Sequence, residues 1–395
     1  MKYAIIIPDG AADLPIEKLS GRTPLAAAAT ASMDWIAAHG KCGTVRTIPR
    51  EMDPGSDVAI LSVMGYDPRK YYTGRAPLEA AARGLQVAPD EWVFRCNFVT
   101  IIDGIMEDHS AGHISTQEAT SLVNELNRLI AHERIRFHAG VSYRHLMTVK
   151  GEVDVVTTPP HDILGQPVAG HLPTGAGSEI LLTLHQRGQS VLAEHEVNQV
   201  RRDLGENPAT HIWLWGQGKM PRLPAFSERF GISAAAISAV DLIRGLARLV
   251  GWDTVEVDGA TGFVNTNYAG KGSAAVEALA DHDLVFVHVE GPDEASHEAD
   301  VDGKVHSIEQ IDRHIVAPVL ERLRSGQEPW RILVMPDHPT PCSIRTHTAD
   351  PVPFAIAGAG MSSVIRLPFD EESARKSDLH VKNGWELMEY FLTVR

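Results

Sequence analysis

Mostly apolar runs of strand length alternate with amphipathic segments at both ends of the chain. Residues 3–7, 284–289 and 331–335 are such runs, and each is followed by Pro, Gly or an acidic residue. Runs of this kind are typical of strands buried on both faces of a parallel sheet. The alternation predicts an α/β fold, a mostly parallel sheet flanked by helices. Further strands are predicted at 42–48, 233–238, 254–257 and 353–356, and helices at 24–38, 53–64, 241–250, 304–325 and 378–392.

The middle of the chain has a different pattern, with more strands and fewer connecting helices. The predicted strands are 92–102, 142–149, 152–157 and 211–215, and the predicted helices are 116–132, 175–186 and 191–202. Residues 219–225 are rich in Pro and basic residues and predict a linker. The simplest organisation is one α/β domain built from residues 1–75 and 223–395. It is interrupted by a smaller inserted domain at 76–222.

Length and charge limit the function. The chain has 395 residues, enough for two or three domains with real cores. It carries 36 Lys and Arg against 51 Asp and Glu, a net charge of −15. This acidic balance argues against general binding of nucleic acid or anionic membranes, because the long-range field repels phosphate. An anionic ligand would need positive charge supplied locally, by metal ions or by clustered basic side chains.

Cysteine content and targeting signals agree with a cytoplasmic protein. The three cysteines are widely separated and predict no disulfide framework. The apolar run at the N-terminus is too short for a signal-peptide core. An uncharged apolar stretch near the ~20 residues that span a bilayer is not found. The sequence carries no indication of oligomeric state.

Acidic residues and histidines follow three of the predicted strands. Asp9, Asp293 and Asp337 each come after a strand, where ligands gather at the carboxyl edge of a parallel sheet. Asp293 and His297 are four residues apart and share a face if a helix begins there. His338 and His347 lie in or beside the last of these loops. Such carboxylate and imidazole sets suit Zn or Mn, as a pair of ions ~3.5–4 Å apart. Each residue alone also fits a turn, a cap or an ordinary surface position.

Ser56 is the candidate nucleophile. It lies between Gly55 and Asp57 at the start of a predicted helix. A serine there is commonly only an N-cap. The same position would place its hydroxyl beside helix-terminal N–H groups that can hold a phosphoryl group, with a nearby divalent ion to stabilise the alkoxide.

Taken as a set, these motifs resemble the cofactor-independent phosphoglycerate mutase family, in its archaeal-type branch within the alkaline phosphatase superfamily. The resemblance extends over nearly the whole chain. It is carried by the segments 7–10 (IPDG), 54–59 (PGSDVA), 65–68 (GYDP), 72–77 (YTGRAP), 293–297 (DEASH), 336–338 (PDH), and 347–348 (HT) with 351–354 (PVPF). It implies an alkaline-phosphatase-like sheet with an inserted α/β lid domain.

The resemblance also implies roles for individual residues. Asp293, His297 and His347 would hold one divalent metal ion, whether Mn, Zn, Co or Mg. The second ion would be held by Asp9, Asp337, His338 and Ser56, with Ser56 becoming phosphorylated. Lys271 would contact the phosphoryl group, although a lysine between two glycines also fits a surface loop. The inserted domain would close on the substrate, and the candidate substrate-binding residues are Arg144, Arg75, Arg95 and His113.

The activity that this resemblance implies is interconversion of 3-phosphoglycerate and 2-phosphoglycerate through a phosphoserine, without bisphosphoglycerate. The partner would be a small phosphorylated substrate. Two segments, 143–145 and 158–162, resemble a bacterial sub-branch with a proposed homoserine kinase role. Three alternatives therefore stay open: a phosphotransferase on another small hydroxy compound, a phosphomonoester hydrolase, and a non-catalytic binding module.

Overall fold

The computed structural model describes residues 1–362 and 366–393. The strands are β1 (Lys2–Pro8), β2 (Lys41–Val45), β3 (Glu91–Ile102), β4 (Ile105–Asp108), β5 (Ile135–Val141), β6 (Arg144–Lys150), β7 (Asp154–Val156), β8 (Thr174–Ala176), β9 (His211–Lys219), β10 (Ala234–Ile237), β11 (Asp253–Val255), β12 (Leu284–Val289), β13 (Trp330–Val334), β14 (Val352–Gly358) and β15 (His380–Val381).

Helices connect most of these strands. The α-helices are α1 (Pro24–Ala27), α2 (Ala31–His39), α3 (Ser56–Val63), α4 (Pro68–Tyr71), α5 (Arg75–Ala82), α6 (Thr116–Leu129), α7 (Ser178–Glu194), α8 (Glu196–Asp203), α9 (Phe226–Phe230), α10 (Asp241–Leu249), α11 (Tyr268–Asp281), α12 (Gly291–His297), α13 (Val301–Ile311), α14 (Ala317–Ser325), α15 (Glu371–Lys376) and α16 (Trp385–Leu392). One π-helical turn, Asp312–Val316, joins α13 to α14, and short 3₁₀ turns occupy Glu17–Leu19, Pro160–Ile163 and Val168–His171.

The chain divides into two units. Unit 1 comprises Met1–Tyr72 and Arg222–Arg395, and unit 2 comprises Thr73–Pro221. Among the described residues, the helices do not combine the length and apolar character that crossing a membrane requires.

Unit 1 is built on an eight-stranded sheet in the order β11-β10-β12-β1-β13-β14-β2-β15. β1 lies between β12 and β13 and is parallel to both, while β14 runs antiparallel to its neighbours β13 and β2. β12 is buried along its whole length, as expected for a strand with helices on both faces. Side chains alternate between those faces. Ala4 and Ile6 join the core that contains α2, α11, α13 and α14, and Tyr3 contacts Phe391 of α16, with ring centroids 5.5 Å apart.

Unit 2 is a smaller α/β structure around an antiparallel sheet, in which β4, β3, β6 and β5 pair in that order and β9 pairs with β3. Leu122 and Leu126 of α6 and Leu181 and Leu184 of α7 pack into the main core of this unit. A capping box starts α6, where Ser115 and Glu118 each bond the other's backbone N–H.

Four of the predicted helices have different limits in the structure. The helix predicted at 24–38 is broken after Ala27, because the N–H groups of Ser32 and Met33 bond the Asp312 carboxylate at 3.1 and 2.7 Å and start α2 anew. The break predicted between the helices 175–186 and 191–202 is wrong. α7 continues through this region, including Gly188, which lies against Ile212. The last helix starts only at Trp385, because β15 pairs with β2 first.

Candidate functional site

Three acidic residues meet at the carboxyl edge of the unit 1 sheet. Asp9 directly follows β1, Asp293 lies in α12 after β12, and Asp337 lies three residues after β13. Because these strands are adjacent and parallel, their carboxyl ends lie together. The three carboxylates are almost fully buried, which is costly unless charge is neutralised nearby.

Asp293, His297 and His347 form one candidate ligand set. α12 places His297 one turn after Asp293, so that His297 Nε2 lies 3.1 Å from Asp293 Oδ2. His347 Nε2 is 3.5 Å from Asp293 Oδ1 and 3.1 Å from His297 Nε2. The structure thus brings together all three residues predicted for the first metal ion.

The second candidate set contains His338, Asp9 and Asp293. His338 Nε2 lies 3.5 Å from Asp9 Oδ1 and 3.0 Å from Ser56 Oγ. Asp337 Oδ2 is also near, 3.3 Å from His338 Nε2. The prediction grouped Asp337 with Asp9, His338 and Ser56. The other three lie around His338 Nε2, while Asp293 adjoins both sets.

The cluster has the features of a cation site. Asp9 Oδ1 and Asp337 Oδ2 are buried, and neither has a hydrogen-bond partner among the described residues. Burial and the neighbouring Asp337 raise the pKa of Asp9 well above its ordinary value. His297 and His347 also aim ring nitrogens at each other. Carboxylates and imidazoles facing a common point are ligands of Zn and Mn, so these residues fit a divalent metal centre.

Hydrogen bonds within the first set shift the pKa values of its members in opposite directions. The hydrogen bond to Asp293 raises the pKa of His297 to about 9. Burial alone would raise the pKa of Asp293, but bonds from His297 and His347 lower it well below its ordinary value. By contrast, burial lowers the pKa of His338. A neutral His338 has a lone pair available for a cation.

Ser56 is the first residue of α3, and Gly55 is the N-cap. Gly55 has no side chain that could cap the helix, and Ser56 comes after the N-cap position, so the interpretation of Ser56 as a capping residue is wrong. Its hydroxyl instead contacts His338 Nε2 at 3.0 Å. The adjoining Asp57 is held by Tyr72, whose hydroxyl donates to Asp57 Oδ2 at 2.6 Å.

Lys271 is a buried helical residue. It lies in α11 with 1% of its surface exposed, so the alternative of a surface loop lysine is wrong. Its Nζ donates to the backbone carbonyl of His288 at 3.1 Å. Burial lowers the pKa of Lys271 to about 8.

His288 is a polar member of the site that sequence reasoning missed. It lies in β12, fully buried, with Nε2 2.9 Å from Asp9 Oδ2 and Nδ1 3.2 Å from Ser238 Oγ. Burial lowers the pKa of His288 to about 3, so the ring is neutral and holds Asp9 in place. A single histidine in an otherwise apolar strand was the available signal.

The four candidates for binding the substrate lie in unit 2, which begins at Thr73 and therefore includes Arg75. Arg95 is a buried residue of β3; its Nε is 3.2 Å from Glu79, and its guanidinium lies 4.0 Å from the centre of the Trp215 ring. Arg75 contacts the same Glu79 at 3.6 Å. Arg95 and Arg75 are therefore brought together through a shared carboxylate.

Arg144 and His113 both lie beside Tyr143 and are exposed. The Arg144 guanidinium is 5.8 Å from the Tyr143 ring centre, and the His113 ring is 6.3 Å from it. His109 contacts Tyr143 and His161, and His161 contacts Trp215, with ring centroids 5.3–6.3 Å apart. This chain of rings, which sequence reasoning did not assign to the site, connects His113 and Arg144 with Arg95.

The fold and the edge cluster together define an α/β protein with a candidate two-metal centre. Comparison with known proteins adds the family. The family model for 2,3-bisphosphoglycerate-independent phosphoglycerate mutase matches residues 37–198. A protein of that name from Methanothrix thermoacetophila is 51% identical over 98% of both chains. This chain belongs to the 2,3-bisphosphoglycerate-independent phosphoglycerate mutase family, as the sequence motifs predicted.

Solved structures agree on the fold over the full length. A Pyrococcus horikoshii protein has 32% identity and a TM-score of 0.84, with coverage of 99% of this chain and 96% of that one. A cofactor-independent phosphoglycerate mutase from Thermoplasma acidophilum has 27% identity and a TM-score of 0.69, with 99% of both chains covered. The predicted α/β class with a mostly parallel sheet is confirmed.

Proposed function

We propose that this chain interconverts 3-phosphoglycerate and 2-phosphoglycerate through a phosphorylated Ser56, without bisphosphoglycerate. The observation that carries the proposal is the position of the Ser56 hydroxyl. It lies 3.0 Å from His338 Nε2, beside the buried Asp9 and Asp337. Full-length relatives bearing the mutase name support the same reaction.

Two divalent cations, Mn, Zn, Co or Mg, belong to the proposal. Asp293, His297 and His347 would hold one of them. The other would be held by Asp9, Asp337, His338 and Ser56, with Asp293 adjoining both sets. When bound, such a pair supplies positive charge for the attacking and phosphoryl oxygens.

Ser56 acts as the nucleophile in the proposed reaction. Its Oγ gives up its proton and attacks the substrate phosphorus. The bond from phosphorus to the substrate oxygen breaks and that oxygen takes up a proton, which leaves glycerate and phosphoserine. The other glycerate hydroxyl then attacks the phosphoserine and frees Ser56. Ser56 lies at the N-terminus of α3, and the first N–H groups of a helix suit phosphoryl oxygens.

The basic residues would bind the substrate's charged groups. We assign Lys271 to the phosphoryl group and the unit 2 residues Arg144, Arg75, Arg95 and His113 to the substrate. A guanidinium grips two carboxylate or phosphate oxygens at once. Arg95 is preorganised for such a role, because Glu79 and Trp215 hold it in place.

The proposal is tested by following phosphorus NMR of 3-phosphoglycerate with purified protein and no bisphosphoglycerate. We expect 2-phosphoglycerate to form, turnover to stop with a chelator, and turnover to return with a divalent cation. Ser56→Ala should lose turnover by at least a thousandfold while its thermal unfolding stays close to wild type, since Ser56 caps no helix.

Turnover by metal-free protein, or by Ser56→Ala, would refute the phosphoserine mechanism. Release of inorganic phosphate without 2-phosphoglycerate would identify a phosphomonoester hydrolase instead. Parallel assays with homoserine and a phosphate donor address the kinase alternative. Cytoplasmic location, and the absence of nucleic acid and membrane partners, stay predictions from the sequence.

A further inference from the structure

Thr340 lies between the two candidate ligand sets. It is fully buried in the loop after β13. Its Oγ1 is 2.6 Å from Asp293 Oδ1 and 3.1 Å from His338 Nδ1. One hydroxyl therefore joins the carboxylate shared by both sets to the imidazole of the second set.

The proton positions follow from this geometry. Two oxygens only 2.6 Å apart need a proton between them, and a carboxylate has none to give. The Thr340 hydroxyl therefore donates to Asp293. Since that hydroxyl has a single proton, the contact with His338 requires Nδ1 to be the donor. The Nδ1–H tautomer leaves the lone pair on Nε2, the atom that faces Ser56 and Asp9.

Backbone contacts on both sides keep Thr340 in this position. Its N–H donates to the carbonyl of Ala12 at 3.2 Å. Its carbonyl accepts from Lys304 Nζ at 2.9 Å, and Lys304 is paired at 2.8 Å with Asp13. The lysine is fully buried, so the loop that carries Thr340 is fixed to the loop that follows β1.

The backbone at Gly10 packs directly against the hydrogen bond between Thr340 and Asp293. A Cβ at Gly10 would lie 2.5 Å from Asp293 Oδ1 and 2.7 Å from Thr340 Oγ1. Its φ of +62° is also unfavourable for other residues. The backbone is thus closely packed against this hydrogen bond and leaves no room for a side chain.

We propose that Thr340 is a positioning residue that holds His338 in its Nδ1–H tautomer and orients Asp293, so that both ligand sets are preformed for divalent cations. The inference rests on the proposed function for its metal centre. The chemistry of the hydroxyl bridge itself is independent of which substrate the site takes.

Removal of the hydroxyl should reverse the tautomer. In Thr340→Val, Nδ1 loses its acceptor, while Nε2 remains 3.3 Å from Asp337 Oδ2 and 3.5 Å from Asp9 Oδ1. Both oxygens lack a hydrogen-bond partner. The ring proton is therefore more stable on Nε2, where these oxygens can accept a hydrogen bond from it. The Nε2–H tautomer has no lone pair directed at the cation site.

The test compares wild type with Thr340→Val, Thr340→Ser and Thr100→Val. Thr100 is a matched control, because it is equally buried and its hydroxyl donates to a backbone carbonyl, that of Pro208 in unit 2. Long-range ¹⁵N NMR of the metal-free proteins reports the His338 tautomer, with the signal assigned from His338→Gln. Competition with a chelator gives the affinity for Zn²⁺ and Mn²⁺.

We expect wild type, Thr340→Ser and Thr100→Val to show Nδ1–H at His338 and similar metal affinity. Thr340→Val should show Nε2–H and bind metal about 10–100-fold more weakly, the usual effect of losing such a hydrogen bond. Nε2–H in wild type, or an unchanged tautomer in Thr340→Val, would overturn the inference. If wild type has the expected tautomer and metal affinity but no mutase turnover, only the proposed function fails.

Discussion

At the scale of single residues, Lys271 sets an expected upper limit on the pH of activity. Its amine is buried in α11, and this burial lowers its pKa from 10.5 to about 8, although Glu290 partly opposes the shift. Below about pH 8 the amine is charged and can bind a phosphoryl oxygen. Above that pH it loses its proton and its charge.

We therefore predict that kcat/KM falls as pH rises through about 8, because kcat/KM reports groups of the free enzyme. Lys271→Arg keeps its charge at high pH and should move this fall upward, even if its turnover is lower. Lys376→Arg, at an exposed ion pair, is the control and should keep the wild-type profile. Identical profiles for Lys271→Arg and wild type would show that another group sets the limit.

Three of the site residues that the sequence indicated, Asp9, Asp293 and Asp337, share one property. Each follows an apolar run long enough to be recognised as a strand. Position along the chain was therefore enough to bring them to one edge. His288 and Thr340 could not be found in this way. Their importance depends on what lies beside them in space. For His288 this is the carboxylate of Asp9, which follows β1, and for Thr340 it is the carboxylate of Asp293 in α12.

At the scale of elements, the turn after β4 depends on one carboxylate. Asp108 accepts hydrogen bonds from Ser110 N and Oγ at 2.7 and 2.6 Å, from Gly112 N at 2.7 Å and from Asn207 at 3.0 Å. The turn carries His109 and His113, and His113 has a φ of +50°. Burial raises the pKa of Asp108, but these bonds outweigh it and lower the pKa to about 2.

The sign of this shift predicts acid sensitivity. Asp108 contributes its full stability above about pH 4 and loses it as pH falls toward 2, because the folded form binds its proton less readily than the unfolded form. Asp108→Asn should lower the free energy of unfolding by about 1–3 kcal/mol near neutral pH and flatten this acid dependence. Urea unfolding between pH 2 and 7 measures both. If the free energy of unfolding depended on pH equally in the variant and in wild type, Asp108 would not be the source of the acid sensitivity.

Helix limits were harder to predict than helix positions. A local pattern continues smoothly from 24 to 38, yet Asp312, distant in the sequence, binds the N–H groups that start α2. Gly188 signals a break, yet it lies inside α7 because a residue without a side chain lets Ile212 approach. Both differences arise from tertiary contacts, which a local pattern does not contain.

At the scale of the whole molecule, the chain enters and leaves unit 2 side by side. The Thr73 hydroxyl donates to the carbonyl of Lys219 at 2.6 Å. Gly218 lies so close to Thr73 that a Cβ there would be 2.1 Å from its carbonyl oxygen. Adjacent ends are typical of inserted domains, since the surrounding domain needs only a small gap in its chain.

Unit 2 should therefore fold when residues 73–221 are expressed alone. It has its own core, formed by α6, α7 and the central strands, and its length of about 150 residues is sufficient for an independent domain. We expect a single cooperative thermal transition and a dispersed NMR spectrum. Leu126→Ala should destabilise this fragment by about 2–5 kcal/mol, because Leu126 is fully buried in that core. Asn124→Ala, at an exposed position of α6, is the control and should change stability little. A fragment without a cooperative transition would mean that unit 2 depends on unit 1 for its fold.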